Sequence, residues 1–453
     1  MKSTSMESIL FSKHDEFIKP KNAELPSIIK SELANVPHIF KKYHYPVSSW
    51  PVLLEKEMAK EVKLLSVRIP KLIAQIPTLY FNNDIQKIAD FYLEGNTTLA
   101  EFTMMCQEKQ MIASCRLDVT CTNDGFKVLE ANMGSSIGGW QVQSFDEEIR
   151  SYHLPLHEND TKDAYISRDT PVNYIEFITD EMLKSVSGIG NEINLFLSLS
   201  AEDNMATQDT LEFFQDMVNE VHKDKDFKMN VFTSNVDDLY MKQGNVYLNS
   251  SRIHGILDMN EKEVPSIVFR AYLMGTIYFP DNLITHLHGD KRNLALLRFL
   301  AEEGKFSEAD NQLLKKCMPW TVELKSKLVN YKGEMRAVTD LIQHKDDFVI
   351  KPFSGLQGKD VSVGKFLTQA QWEEIIDETL DSGKFILQEF CDSKQYMAPN
   401  RNGTWTPHKV IWGMFGFDSM YGGVWVRMSE VATDVGVINS ATGAIEAIVY
   451  EIL

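Results

Sequence analysis

The spacing of apolar residues changes several times along this chain, and each change marks a different element. From Trp50 to Tyr92, stretches such as LLEKEMAKEVKLLSVRIPKLI repeat at helical intervals and predict packed helices broken at Pro70 and Pro77. At Cys115 the period falls to two. Arg116 and Asp118 lie on an alternating strand, Asn123-Asp124-Gly125 forms a tight turn, and Phe126 to Glu130 returns as its partner with Asn132 just beyond. The polar section Ser144 to Thr170 reads as an irregular solvated loop. A metal site there is conceivable from His153, His157, Glu158 and Asp160, but Pro155 argues against one helical face.

Beyond Asn194 a buried strand (NLFLSLS), a helix from Thr207 to His222, a strand (MNVFTS) and a turn and strand pair from Val246 to Asp258 predict a small α/β lobe. SIVFRAY, Ser266 to Tyr272, reads as a strand whose Arg270, set among apolar neighbours, needs an anionic partner, either a structural carboxylate or a substrate group. RNLALLRFLAEEG is an amphipathic helix starting at or near Asp290, a plausible N-cap, with Lys291 in the first turn. Pro319 opens another unit: a helix from Glu323 to His344, a strand from Phe348 to Ile350 ending in Lys351-Pro352, a loop with Gly355 and Gly358, a strand from Val361 to Val363, a helix from Gln369 to Asp381 and the strand Lys384 to Phe390. Two further strands, Lys409 to Phe417 and Gly423 to Ser429, are expected to join through Tyr421-Gly422-Gly423, with a small-residue turn at Asn439, Gly443 and Ala444 after them. Residues 1 to about 40 are polar and expected to be only partly ordered.

Composition narrows the function classes. A chain of 453 residues can hold two or three lobes, and 43% hydrophobic with 24% charged residues is ordinary for a globular protein. The formal charge of −18 argues against broad nucleic-acid binding and means that an anionic ligand must be drawn in by local cations. Five cysteines, odd in number and without zinc-type pairing, fit a reduced cytosol. No long apolar run at the amino terminus predicts a signal peptide or membrane span, so a cytoplasmic location without membrane partners is expected.

The candidate chemistry follows from strand parity. Residues two apart share a face, so Arg116 and Asp118 project beside Glu130 and Asn132. Two carboxylates and an amide oxygen are hard ligands of the kind Mg²⁺ takes when phosphate oxygens and water complete its shell. A solvated surface hairpin is the alternative, set against the need of Val128 and Leu129 for burial. Lys351 at the end of an apolar strand supplies a point charge for phosphate, and the glycines after it let backbone amides approach closely.

Together, Arg116-x-Asp118, Glu130-x-Asn132, the Lys351-Pro352 strand with its glycine loop and the LQEF strand resemble the ATP-grasp superfamily over roughly residues 110 to 150 and 285 to 450. The metal pair precedes the lysine, so the chain looks like the circularly permuted branch that includes glutathionylspermidine synthetase and related peptide ligases. The resemblance implies an α/β (α+β) ATP-grasp fold: an N-terminal helical segment (1–105), a first part of the large lobe carrying the metal hairpin (106–190), a pre-ATP-grasp lobe (191–287), a connecting helix (288–318), a small lid lobe (319–392) and the remainder of the large lobe (393–453).

It also implies site roles. Asp118, Glu130 and Asn132 would hold one or two Mg²⁺, with Mn²⁺ an alternative. Lys291, Lys351, Gly355 and Gly358 would cover the ATP phosphates, and Arg427 would lie near the transferred one. Backbone groups at Glu389 and Cys391 would meet the adenine edge, with Phe390 packed nearby and Gln388 near the exocyclic amine. Cys391 as a nucleophile is the alternative, but no histidine partner is evident and a small apolar role fits better. The implied reaction joins a small-molecule or peptide carboxylate to an amine at the expense of ATP, with Arg116 stabilising the oxyanion. A kinase-like phosphotransferase and a non-catalytic nucleotide-binding scaffold are the alternatives, and the sequence leaves oligomerisation open.

Overall fold

The computed structural model describes residues 25–111, 113–153, 164–199, 204–259, 264–325, 327–353, 355, 360–433 and 436–452. Gly358, His157, Glu158 and Asp160 lie outside the described residues.

The central element is a largely antiparallel sheet in the order Val52–Leu54, Ile445–Ile452, Met420–Glu430, Trp405–Phe417, Cys115–Thr122, Gly125–Met133. Alternation divides its residues cleanly. Leu117, Val119, Trp412, Met414, Val424 and Val426 point to one side and join a core with Val62, Leu65, Ile69 and Leu72 of the helix Lys56–Ile73. The helix lies so close that a Cβ on Gly416 would stand 1.9 Å from the Ser66 carbonyl oxygen, so only glycine fits there. Arg116, Asp118, Phe415, Trp425 and Arg427 face the opposite side, where Phe415 and Trp425 belong to a second core.

That second core is shared with a parallel three-stranded sheet in the order Gly255–Asp258, Glu192–Ser198, Lys228–Phe232, beside the helix Asn204–Val221. A third, four-stranded sheet runs Thr321–Glu323, Phe385–Glu389, Phe348–Pro352, Ser362–Val363. Phe348, Ile350 and Leu387 face its own core with Trp320 and Trp372. Val349, Lys351, Gln388 and Thr321 occupy the other face by register. Among the described residues no helix is long and apolar enough to cross a membrane.

Several expectations are corrected. Ser266–Leu273 is a helix, because Val268, Ala271 and Tyr272 are buried at helical spacing, and Arg270 on its outer face is exposed rather than buried. The stretch expected as one helix from Glu323 to His344 is a strand end, a hairpin Leu328–Tyr331 with Glu334–Ala337, and a short helix Val338–Ile342. Its two-residue turn holds positive φ at both Lys332 and Gly333, the twist a tight hairpin needs. Pro70 does not break its helix, which runs on to Ile73, because at the last turn only one backbone bond is lost. The polar loop after Trp140 contains the helix Asp146–Tyr152 with three acids in its first turn, and His153 is fully buried with Nε2 2.8 Å from the Ser49 carbonyl oxygen. Residues 25–50 are folded against the sheet, through bridges from Ile28 to Ser48 and from Val47 to Glu446. The last long hairpin turns at Asp418-Ser419, so Tyr421-Gly422-Gly423 lies within a strand.

Candidate active site

The site grows from a defect in one strand pair. Cys115–Thr122 and Gly125–Met133 pair Arg116 with Asn132 and Asp118 with Glu130, then slip by one, leaving Leu129 as an extra residue. A bulge disrupts the ladder locally and turns a backbone group outward. The Leu129 carbonyl oxygen here lies 3.4 Å from Lys351 Nζ of the third sheet.

Asp118 is the hub. Arg116 donates to both its oxygens, Nε to Oδ1 at 2.8 Å and a terminal nitrogen to Oδ2 at 3.1 Å, and Arg427 donates to Oδ2 at 2.8 Å. Burial works to raise the Asp118 pKa, but the two guanidinium groups outweigh it and hold the carboxyl at about 2. The other terminal nitrogen of Arg116 donates to the Gly138 carbonyl at 2.7 Å. Both guanidinium groups flank the Trp425 ring, at 6.0 Å for Arg116 and 5.3 Å for Arg427. Gly139 lets the loop pass this ring: its φ is +101°, and a Cβ there would stand 2.0 Å from Trp425 Cε2.

Glu130 meets Lys291, whose Nζ is 3.0 Å from Oε1 and also donates to the Gly355 carbonyl at 2.9 Å. Lys351 donates to Gln388 Oε1 at 2.7 Å, and Gln388 in turn donates to Thr321 Oγ1 at 3.2 Å. Burial lowers the Lys351 pKa; Glu130 opposes that shift and Lys291 adds to it. The acidic hairpin and the lysine strand, more than two hundred residues apart, therefore close on one space.

The charge balance in that space is uneven. Arg116, Arg427, Lys291 and Lys351 gather around Asp118 and Glu130, four cations against two carboxylates. Glu446, opposite Arg427 in register, is a third buried carboxylate; burial raises its pKa, while hydrogen bonds from Ser440 and Tyr43 and the charges of Arg427 and Arg116 oppose that shift, so the count with it is four cations to three carboxylates. Among the described residues, buried Arg427 Nε has no hydrogen-bond partner. Buried cations in excess need an anion. Among the described residues no group of three His, Cys, Asp or Glu side chains forms a metal cluster. Asp118, Glu130 and Asn132 could hold a divalent ion only with oxygens brought by that anion, which fits a metal–polyphosphate pair rather than a metal alone.

The remaining predicted residues lie around this centre. The assigned helix begins at Arg292, with Lys291 at the cap position, and Asp290 accepts the Arg292 backbone N–H at 2.8 Å. Glu389 differs from the hinge expected of it: its N–H donates to the Trp320 carbonyl at 2.8 Å and its carboxylate meets Lys332 Nζ at 2.8 Å. Its carbonyl remains, 3.7 Å from the Cys391 thiol. The Phe390 N–H is bonded to the Asp347 carbonyl, and the Phe390 ring lies 5.5 Å from Lys365 Nζ and 5.8 Å from Lys409 Nζ. Burial first, then Glu389, pushes the Cys391 thiol up to about 12, so it is no thiolate nucleophile at neutral pH. Sequence reasoning missed Gly138, Trp425 and Arg292. The pair Gly138-Gly139 shortly after Asn132, and Trp425 two residues before Arg427 on the same face, were the available signals.

Neither a family model nor a curated protein matches this chain. Among solved structures, the glutathione synthetase-like effector GSS30 from Globodera pallida, in apo form, superposes with a TM-score of 0.58 at 11% identity, covering 90% of each chain. At that identity the likeness is one of architecture: this chain has the mixed α/β fold of a glutathione synthetase-like protein.

Proposed function

We propose that the chain is an ATP-dependent carboxylate–amine ligase of circularly permuted ATP-grasp type. The reading rests on one observation, the gathering of Arg116, Arg427, Lys291 and Lys351 around Asp118 and Glu130 from segments remote in sequence. A triphosphate answers the cationic excess, and Mg²⁺ at Asp118, Glu130 and Asn132 would supply charge neutralisation between its oxygens. A carboxylate acylates poorly because its leaving group would be oxide. Attack of a substrate carboxylate oxygen on the γ-phosphorus, with the bond to the β-phosphate oxygen breaking, gives ADP and an acyl phosphate. An amine nitrogen then attacks the acyl carbon, phosphate leaves with the C–O electron pair, and the ammonium proton passes to solvent.

The residues of this chain position and stabilise. Lys291 and Lys351 orient the phosphates, Arg427 offsets charge at the transferred group, and Arg116 stabilises the oxyanion formed on amine attack. Loss of one donor of that last kind commonly costs about 3 to 4 kcal/mol of barrier. A second reading, a nucleotide-binding protein without turnover, draws on two observations: both Asp118 oxygens are engaged by arginines, and the structural neighbour is described as an effector. ADP release measured with mixed amino acids and polyamines separates the readings. Amine-dependent release is expected; amine-independent phosphoryl transfer would replace the ligase with a kinase, and nucleotide binding without release would leave the second reading.

A further inference from the structure

The strand Ile445–Ile452 places Glu446 directly opposite Arg427 of Met420–Glu430. Residues opposed in this way share a face with their Cβ atoms about 5 Å apart, so the carboxylate is within reach of the guanidinium. It is turned elsewhere. The Tyr43 hydroxyl donates to Glu446 Oε2 at 2.5 Å and the Ser440 hydroxyl donates to Oε1 at 2.5 Å, so both oxygens are occupied. Arg427 donates to Asp118 through one terminal nitrogen, and among the described residues its Nε has no partner.

Each hydroxyl is delivered by a segment held in place. Tyr43 precedes a stretch that pairs with the backbone of Glu446 itself: the Glu446 N–H donates to the Pro46 carbonyl at 2.8 Å, and the Ser48 N–H donates to the Glu446 carbonyl at 2.7 Å. The Tyr43 ring packs on Phe145 and Phe40, with centroids 5.8 and 6.3 Å away. Burial, then Glu446, pushes its hydroxyl pKa up, so it stays a donor. Ser440 opens the single turn Ser440–Thr442, which Asn439 caps by accepting the Ala441 N–H at 3.0 Å and which ends at Gly443 with φ +97°. Arg401 braces that turn by donating to the Gly443 carbonyl at 2.9 Å.

We infer that Tyr43 and Ser440 are positioning residues for the anion site: by holding both Glu446 oxygens they keep this carboxylate off Arg427 and leave the guanidinium to the phosphate of a bound nucleotide. The inference rests on the nucleotide reading of the site for its ligand, and on the two hydroxyl bonds for its mechanism. A buried donor without a partner is unfavourable, so a carboxylate one strand away turns to it unless other bonds hold it. Hydroxyl donors to a carboxylate are among the stronger hydrogen bonds, and here two of them occupy it. Released from them, Glu446 would pair with Arg427 and lower the positive charge that a polyphosphate meets. The N-terminal segment, which lies outside the stretches that resemble the ATP-grasp pieces, thereby acts on the centre through Glu446 without touching the ligand.

The test titrates the full chain with a non-hydrolysable ATP analogue and Mg²⁺ by calorimetry. Tyr43→Phe removes one hydroxyl and keeps the ring; it should weaken analogue binding at least fivefold, and Ser440→Ala should weaken it in the same way. In a Glu446→Gln background, which removes the competing charge, Tyr43→Phe should change affinity by less than twofold, a rescue that loss of packing alone would not give. In an Arg427→Ala background it should likewise have no further effect. Wild-type affinity in Tyr43→Phe or in Ser440→Ala, or an undiminished loss in either background, overturns the inference and leaves the nucleotide reading standing. Failure of the wild-type chain to bind the analogue, or an Arg427→Ala chain that binds it as tightly as wild type, removes the phosphate role of Arg427 and the inference with it.

Discussion

At Asp118 one carboxylate serves two arginines, which hold its carboxyl well below the usual range and keep it charged. Asp118→Asn removes the anion and leaves Arg116 and Arg427 buried without it. Breaking a buried pair in this way costs about 3 to 5 kcal/mol, so a large fall in melting temperature is expected by calorimetry, partly recovered on adding triphosphate. Glu130→Gln is milder for the fold, since Glu130 is only partly buried and its amide can still accept from Lys291. Under the ligase reading it abolishes turnover while circular dichroism is unchanged; steady-state rates equal to wild type at saturating magnesium would remove Glu130 from the site. Gly139→Ala tests the loop. Positive φ and the Trp425 ring both oppose a Cβ, and a loss of at least about 2 kcal/mol in urea unfolding is expected. The residue pairs Arg116/Asp118 and Glu130/Asn132 were legible because strand parity alone puts them on one face. Gly138 and Trp425 were not, because their contacts with the arginines depend on how a loop and a distant strand approach, which no local spacing encodes.

Among the elements, the turn before helix Arg292–Glu302 works as a joint. Arg292 is held by both Asp290 oxygens, at 2.9 and 2.6 Å, and its guanidinium stands 4.1 Å from the Phe353 ring centroid and 4.5 Å from that of Phe91. Lys291 beside it donates its N–H to the Phe353 carbonyl at 3.2 Å. The lysine strand of the third sheet is thus tied to the helices under the central sheet. Arg292→Ala should loosen that tie. Faster amide hydrogen exchange over residues 348–353 is expected, with a several-fold weaker nucleotide affinity by calorimetry; unchanged exchange there would mean the joint carries no strain. Strand alternation made the hairpin at Arg116 readable, and the helix expected from Gln369 to Asp381 is Gln369–Ser382, closed at its start by a capping box of Thr368 with Gln371. The hairpin Leu328–Tyr331 with Glu334–Ala337 was not, because its strands are short and mostly exposed and carry almost no apolar alternation. The helix Ser266–Leu273 was misread for the opposite reason: a β-branched, apolar run of eight residues fits either element, and tertiary burial decided.

Across the whole molecule, buried histidines set the response to acid. Burial lowers the pKa of His153, His254 and His288 to about 4 each. Their folded values lie below the unfolded value of about 6.5, so unfolding takes up protons and their contribution to stability, complete above that value, is lost as pH falls toward 4. Asp281 acts in the opposite sense, because burial raises it to about 6 and the folded state holds a proton the unfolded chain would release. Burial lowers His222 and His408 in the same sense, and raises Asp169, Glu55 and Glu446 in the sense of Asp281; the three histidines held at about 4 carry the largest resolved shifts among these groups, on the order of 1 kcal/mol each. The urea midpoint should therefore be lower at pH 5.5 than at 7.5, and His254→Gln should shrink that difference. Changes of period made the switch from the helices after Trp50 to the strands at Cys115 readable, but the bridge from Val47 to Glu446 was not, since a polar segment without periodicity declares no partner.

The strand Cys115–Thr122 is flanked on one side by its own hairpin and on the other by Trp405–Phe417. On a ribosome the second neighbour emerges long after the first, so the nascent hairpin spends much of translation with an open ladder edge and Leu117, Val119 and Cys121 only half covered. Ribosome profiling of chaperone-bound nascent chains should therefore show capture concentrated in the interval before residue 405 leaves the exit tunnel, as that strand order requires.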